Sequence, residues 1–179
     1  MTRLALFGHG FRPFFLLGVG WAALTIALWI PLLTGALASP TALAPIEWHV
    51  HELVFGYVPA IVAGFLLTAV PNWTGRLPVV GMPLLMLVLA WLAGRVAILT
   101  SAWTGPAAAA VIDLSFLAAL TAVIAREIIA SGNTRNLRVL AAVGLLLAGN
   151  GLFHLEVVAG VGAGHGTRLG VGATVLLII

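Results

Sequence analysis

Two histidines and a glutamate, His49, His51 and Glu52, lie within four residues of the chain and are followed directly by an apolar run. Neutral imidazole is a common metal ligand, and a carboxylate beside it can orient the ring. A third histidine, His154, lies in a later apolar segment. The sequence contains no cysteine, which excludes thiolate metal sites, disulfides and thiol nucleophiles. Histidine without cysteine suits haem iron or copper better than a thiolate site.

The composition predicts an integral membrane protein. Of the 179 residues, 62% are hydrophobic and 7% are charged, whereas soluble domains contain about 25% charged residues. So few polar side chains cannot cover a soluble core of this size. The formal charge of +3 comes from eight basic residues, all of them arginine, against five acidic ones. In a membrane protein this excess reports the orientation of the spans, and it does not indicate binding to nucleic acid.

The apolar segments predict an all-α fold, a polytopic transmembrane helical bundle formed by a single domain over residues 1–179. Five segments have the length of a full span, and a truncated sixth falls short of the roughly 20 residues that a span needs. The six segments cover residues 14–37, 47–70, 83–101, 107–129, 137–159 and 169–179. The first segment also resembles a secretory signal, because Ala36-Leu37-Ala38 precedes Ser39. Its apolar run exceeds the about 7–15 residues of a signal core, which favours a retained helix.

Helical rotation separates the two neighbouring histidines. Residues two apart on an α-helix point about 200° apart, so His49 and His51 can face one site only if the helix begins after them. In a regular helix His49, Glu52 and Gly56 share one stripe, whereas His51 and Phe55 lie on another. The first stripe continues with small residues, which would allow a second helix or a flat cofactor to approach the backbone.

The ionisable residues of four different spans lie at the same depth. With a rise of about 1.5 Å per residue, Glu52, Arg95, Asp113 and His154 all fall within roughly 5–10 Å of the outer ends of their helices. Charged groups inside a membrane are costly and usually pair or mark a site. The sequence therefore predicts one polar site in the outer half of the bundle.

Arg95 and Asp113 are predicted to form a structural ion pair within that level. They lie on consecutive antiparallel helices joined by a short turn, which brings equal depths together. The bidentate guanidinium suits a carboxylate and makes proton relay by Arg95 itself improbable. A role for the pair in binding a propionate or another anion is the alternative.

Arginine positions orient the chain. Most of the arginines are predicted to lie on one side of the membrane: Arg3, Arg12, Arg76, Arg126, Arg135 and Arg138. The opposite side has Arg168 near the end of a span. The positive side is cytoplasmic, so the N-terminus is predicted inside and His49, His51 and Glu52 at the outer face.

Several other polar or aromatic residues have structural interpretations. Each candidate histidine could be an interfacial or helix-bonding residue, and His9 and His165 are expected to be non-ligands. The glycine-rich residues 160–168 contain no G-x-G-x-x-G pattern and follow no strand, so they are expected to form a flexible outer loop. Tryptophans are more often packing or interface residues than functional ones. Those concerned are Trp21, Trp29, Trp91 and Trp103.

The longest motifs resemble those of the NnrS family. They are GFRPFFLL, WHVHELVFGY, VAGFLLTAVPNWTGR and WLAGR, at residues 10–17, 48–57, 62–76 and 91–95. The chain has Val50 and Leu53 where the family usually has alanine and methionine. The resemblance is strong up to Arg95 and looser after it. It implies a bacterial inner-membrane protein of about twelve spans, of which this chain is roughly the N-terminal half.

The resemblance also implies haem and copper as cofactors and a role in the response to nitric oxide and nitrosative stress. His49, His51 and His154 are then the candidate haem or copper ligands, with Glu52 orienting an imidazole. The alternative is a transporter or permease-like bundle that uses the same polar level as a substrate or proton path. Neither the residues nor the resemblance identifies a catalytic residue or a protein partner. The expected partners are the lipid bilayer and nitric oxide as a ligand.

Overall fold

The computed structural model describes residues 5–132 and 134–179. Most of these residues are helical and none of them lies in a strand, which confirms the predicted all-α fold. Five helical stretches are long and apolar enough to cross a membrane, as predicted. They are Phe11–Leu33, Pro45–Thr74, Met82–Leu99, Pro106–Ala130 and Thr134–Val158. Arg3, one of the residues in the orientation argument, lies outside the described residues.

Most of the long helices pack against the next long helix of the chain. The helices are α1 (Phe11–Leu33), α2 (Pro45–His51), a π-helical segment (Glu52–Tyr57), α3 (Val58–Thr74), α4 (Met82–Leu99), α5 (Ser101–Thr104), α6 (Pro106–Ala130), α7 (Leu137–Val158) and α8 (Gly164–Ile178). Helix α1 packs against α3, α4 against α6, α6 against α7, and α7 against α8, whereas α3 packs against α6. The π segment contacts α1, α4 and α8, so it lies among several helices at one end of the bundle.

The second span continues further than the sequence suggested. The sequence predicted that this segment ends at residue 70, but α3 runs through Pro71 and ends at Thr74. Gly75 then takes a left-handed φ of 68°, which only glycine adopts without strain, and its N–H bonds to the carbonyl of Pro71. The glycine therefore ends the helix, and the proline does not.

A π-helical segment interrupts the same span near its beginning. Pro59 has no N–H, and in a regular α-helix its ring would clash with the carbonyl of Phe55. The wider π turn over Glu52–Tyr57 relieves this conflict. It also changes the rotation of the chain, so that His51 and Glu52, which are adjacent in sequence, are both fully buried in the bundle.

Helix α8 begins at Gly164, five positions before the expected sixth segment. Only the first part of the predicted loop over residues 160–168 is therefore non-helical. Glu156 of α7 caps the new helix: its carboxylate accepts hydrogen bonds from the backbone N–H groups of His165 at 3.1 Å and Gly166 at 3.0 Å. Two free N–H groups in the first turn of a helix are thereby satisfied.

Glycines on both α7 and α8 allow these two helices to pack closely. A Cβ placed on Gly166 would collide with the backbone of Phe153 on α7. A Cβ on Gly149 would lie 2.8 Å from the backbone nitrogen of Gly170. Small residues at such crossings let two helix backbones approach each other in a membrane. The glycine-rich sequence thus reflects a helix contact, which its composition alone did not distinguish from a loop.

Candidate functional site

A charged cluster lies inside the bundle, and Arg95 of α4 is at its centre. The guanidinium donates from Nη1 to Oε2 of Glu52 at 2.7 Å and from Nη2 to Oδ1 of Asp113. The three residues are at most 2% exposed. The predicted ion pair between Arg95 and Asp113 is thus present in the structure, but Arg95 also pairs with a second carboxylate, that of Glu52.

His51 lies against both carboxylates. Its Nδ1 is 3.2 Å from Oε1 of Glu52, and its Nε2 is 3.3 Å from Oδ2 of Asp113. The same Nε2 is 3.2 Å from Oδ1 of Asn150. Two carboxylates and one guanidinium sum to one negative charge, which is costly to bury unbalanced. A proton on His51 or a bound cation would balance it.

Helix α7 contributes two more polar residues, one turn apart. The side-chain amide of Asn150 donates to Oδ2 of Asp113 at 2.7 Å. Nε2 of His154 lies 3.0 Å from the same oxygen. Asn150 is fully buried, and His154 is 5% exposed. The ionisable residues expected at one depth, Glu52, Arg95, Asp113 and His154, therefore form one connected network with His51 and Asn150.

Two tryptophans take part in this region, although the sequence suggested only packing roles. Nε1 of Trp21 on α1 donates to Oε2 of Glu52 at 2.6 Å. Nε1 of Trp91 donates to the backbone carbonyl of Gly56, 2.9 Å away. The two indoles meet edge to face, with ring centroids 6.3 Å apart. No sequence signal identifies these contacts, since they depend on the packing of α1 and α4 against the π segment.

His49 lies outside the network. Helix α2 begins at Pro45, before both histidines, so His49 and His51 point in different directions, as a regular helix requires. The ring of His49 stacks on Trp29 with centroids 4.2 Å apart. Its Nδ1 is buried and has no hydrogen-bond partner within residues 5–132 and 134–179. The structure therefore brings His51 and His154 together with Glu52 but leaves His49 on the side of α1.

Three atoms of the network could hold one metal ion. His51, Asp113 and His154 each offer a ligand atom, and these atoms lie within 4.8 Å of one another. Oδ2 of Asp113 is 3.3 Å from Nε2 of His51 and 3.0 Å from Nε2 of His154. Donor atoms about 2.0–2.2 Å from a tetrahedral ion are separated by roughly 3.3–3.6 Å, so the two distances from Asp113 to the imidazoles are close to those of a metal site. Two imidazoles and a carboxylate suit copper, iron, nickel or zinc.

Glu52 has the position of an orienting residue for such an ion. If Nε2 of His51 binds metal, Nδ1 carries the proton, and Oε1 of Glu52 is its acceptor at 3.2 Å. This carboxylate–histidine–metal arrangement is common in metal sites. A haem fits the same residues poorly, since the His51 ring packs between Phe55, Phe153 and His154, with centroids 5.6, 4.9 and 5.1 Å away.

The remaining histidines lie elsewhere. His165 is at the start of α8, where its exposed ring contacts Glu156 through Nδ1 at 2.8 Å. His9 is exposed and precedes α1, at the end of the bundle opposite the charged cluster. Glu156 was not among the predicted site residues, and its role is to cap α8. The sequence would have indicated this role only if a helix beginning at Gly164 had been predicted.

Comparison with known protein families gives a match over residues 5–179, to the family described as NnrS protein. Comparisons with curated proteins and with solved structures gave no match. The family match covers almost the whole chain, including every residue of the charged cluster. The five apolar helices indicate a multi-pass membrane protein, which fits the family, and the structure adds a group of two histidines and an aspartate that could hold a metal. The chain belongs to the NnrS family.

Proposed function

We propose that this protein is a bacterial inner-membrane metal protein that acts in the response to nitric oxide and nitrosative stress. Its metal site is formed by His51, Asp113 and His154 in the outer half of the bundle. The observation that carries the proposal is the convergence of Nε2 of His51 and Nε2 of His154 on one carboxylate oxygen of Asp113.

Copper is the ion that we assign to this site. The donors are nitrogen and oxygen, and copper binds such sets more strongly than other divalent first-row ions. A bound copper ion would supply a binding position for nitric oxide and exchange of one electron. The chain itself holds the ligands in place: Arg95 fixes the second oxygen of Asp113, and Glu52 orients His51.

Haem, which the family resemblance also implies, is not assigned to the charged cluster. The rings of Phe55 and Phe153 cover His51, so a macrocycle would have to displace them. His49 is the candidate for that cofactor, because its buried Nδ1 is unpartnered among the described residues. Haem content that falls in His49→Ala and not in His51→Ala would support this division.

The test is the metal content of the full-length protein, purified from cells supplied with copper. His51→Ala, His154→Ala and Asp113→Asn should lose copper, whereas His165→Ala, which alters an exposed ring, should retain it. The same variants, returned to cells that lack the protein, should protect growth under nitric oxide in the order of their copper content. Equal copper in all variants would contradict the metal site.

A transport role is the second candidate, and one observation favours it. Both ring nitrogens of His51 face oxygen acceptors, so the network is hydrogen-bonded without any ion when the ring carries two protons. Chains of carboxylates and histidines of this kind form proton paths in membrane transporters. A colourless, metal-free full-length protein that moves protons or a solute across vesicles would favour this function over the first.

A further inference from the structure

A second charged cluster lies at the opposite end of the bundle. Glu127, near the end of α6, is 5% exposed although it is ionisable. It accepts hydrogen bonds from Arg126, through Nε at 2.9 Å and Nη2 at 2.7 Å, and from Nε of Arg76. One carboxylate thus holds the guanidinium of Arg126 on α6 next to that of Arg76, which lies in the loop after α3. The sum of the three charges is +1.

Both arginines remain accessible despite this pairing. The side chain of Arg76 is 41% exposed and that of Arg126 is 71% exposed. Arg76 and Arg126 line one cavity of about 480 Å³ together with Glu127. Arg76 also lines a neighbouring cavity of about 580 Å³. Arg76 therefore lines both spaces.

The larger cavity has walls of two kinds. Its polar residues are His9, Thr68, Asn72 and Arg76, and its apolar residues include Leu67, Pro71 and Pro78. The segment before α1 is held over it, because the N–H of Gly81 bonds to the carbonyl of Phe7 at 3.0 Å. The cavity lies where α1 begins and α3 ends, at the level where a bilayer changes from hydrocarbon to head groups.

We propose that these two cavities bind the head group of one anionic phospholipid. A phosphate diester carries one negative charge, which matches the net charge of the cluster, and guanidinium groups bind phosphate oxygens in paired hydrogen bonds. The apolar walls suit the glycerol and the first acyl carbons. A lipid is the occupant, rather than a soluble phosphate, because the cavities open at the membrane surface and combine charge with apolar walls.

The test uses the full-length protein in detergent, with lipids counted by native mass spectrometry. Phosphatidylglycerol and phosphatidylcholine are added at equal concentrations, and one phosphatidylglycerol per chain should be retained in preference. Arg76→Gln and Arg126→Gln should each weaken retention about fivefold, as expected for one arginine at a membrane surface. Arg126→Lys, which keeps the charge, should largely restore it. Arg168→Gln, at the other end of the bundle, should have no effect.

Three results would overturn the proposal. Equal retention of the two lipids would show that the cavities do not select charge. Retention that is unchanged in both glutamine variants would place the lipid elsewhere. Displacement of phosphatidylglycerol by millimolar inorganic phosphate would show a general anion site, which is not a lipid site. Arg126→Gln removes a mostly exposed side chain, so its gel-filtration profile should match that of the wild type and separate loss of lipid from loss of fold.

Discussion

The guanidinium of Arg95 donates a hydrogen bond to Glu52, 2.7 Å away, across the interface between α4 and the π segment. The same guanidinium holds Asp113, so one cation lies between two buried carboxylates. A buried ion pair contributes little net stability, yet the loss of one partner is severe, because the other charge is left unpaired in a low-dielectric interior. This relationship changes what the mutagenesis of the pair should show.

Arg95→Ala should destabilise the fold more than Asp113→Ala. The first change leaves two buried carboxylates without a guanidinium, whereas the second leaves one guanidinium that still pairs with Glu52. Removing one partner of a buried pair costs about 3–5 kcal/mol. The double variant Arg95→Ala/Asp113→Ala should recover only part of the loss, since Glu52 remains, and addition of Glu52→Gln should recover more. The measurement is the yield and melting temperature of the purified protein, with Arg168→Ala as the exposed control. A triple variant no better than Arg95→Ala would contradict the three-residue arrangement.

Gly56→Ala should disturb the charged cluster from the backbone side. A Cβ at this position would collide with the guanidinium of Arg95 and lie 2.8 Å from Oε2 of Glu52. Overpacking of this kind costs about 1–3 kcal/mol. Gly144→Ala is the matched control, because a Cβ there meets no atom within 4 Å among the described residues and the change favours the helix. Equal melting temperatures for the two alanine variants would show that Gly56 has more room than the contacts indicate.

The charged cluster also shows what the sequence can and cannot predict. Glu52, Arg95, Asp113 and His154 could be placed at one depth because ionisable residues are rare here and the helical rise is constant. The rotation of His51 relative to His49 was predictable, but which of them faces inward depended on the π segment. The contacts of Trp21 and Asn150 depend on how helices distant in sequence pack together. The first five residues of α8 were taken for a loop because of their glycines, whereas the rest of the helix was expected from its apolar run.

Glu156→Gln should loosen the first turn of α8. The carboxylate accepts two backbone hydrogen bonds there, and replacement of a capping group typically costs about 1 kcal/mol. Hydrogen exchange at the amides of His165 and Gly166 should accelerate, while exchange in the middle of α7 stays slow. Glu47→Gln, which alters a contact at the start of α2, should leave α8 unchanged. Unaltered exchange at both amides would show that the glycine packing alone fixes α8.

Single cysteines in the loops should report the orientation of the spans. Thr41 is a poor labelling position, because it is 5% exposed and hydrogen-bonds to Ser101 at 3.0 Å. Its neighbour Ala42 is exposed and serves instead, with the exposed Thr134 on the other side. An impermeant thiol reagent applied to intact cells from outside should label Ala42→Cys and spare Thr134→Cys, since arginines favour the cytoplasmic side. The reverse pattern would show that the bundle has the opposite orientation. Labelling of both cysteines from the same side would contradict the five spans.

The central claim, a copper ion held by His51, His154 and Asp113, is tested most directly by pulsed electron paramagnetic resonance of the copper(II)-loaded full-length protein. The distal nitrogen of each coordinated imidazole modulates the electron spin echo, so the modulation shows how many histidines bind the ion. The wild type should show two histidines, His51→Ala and His154→Ala should each show one or lose the ion, and His49→Ala should show two. A signal from two histidines that survives in both His51→Ala and His154→Ala, or that loses a histidine in His49→Ala, would contradict the account.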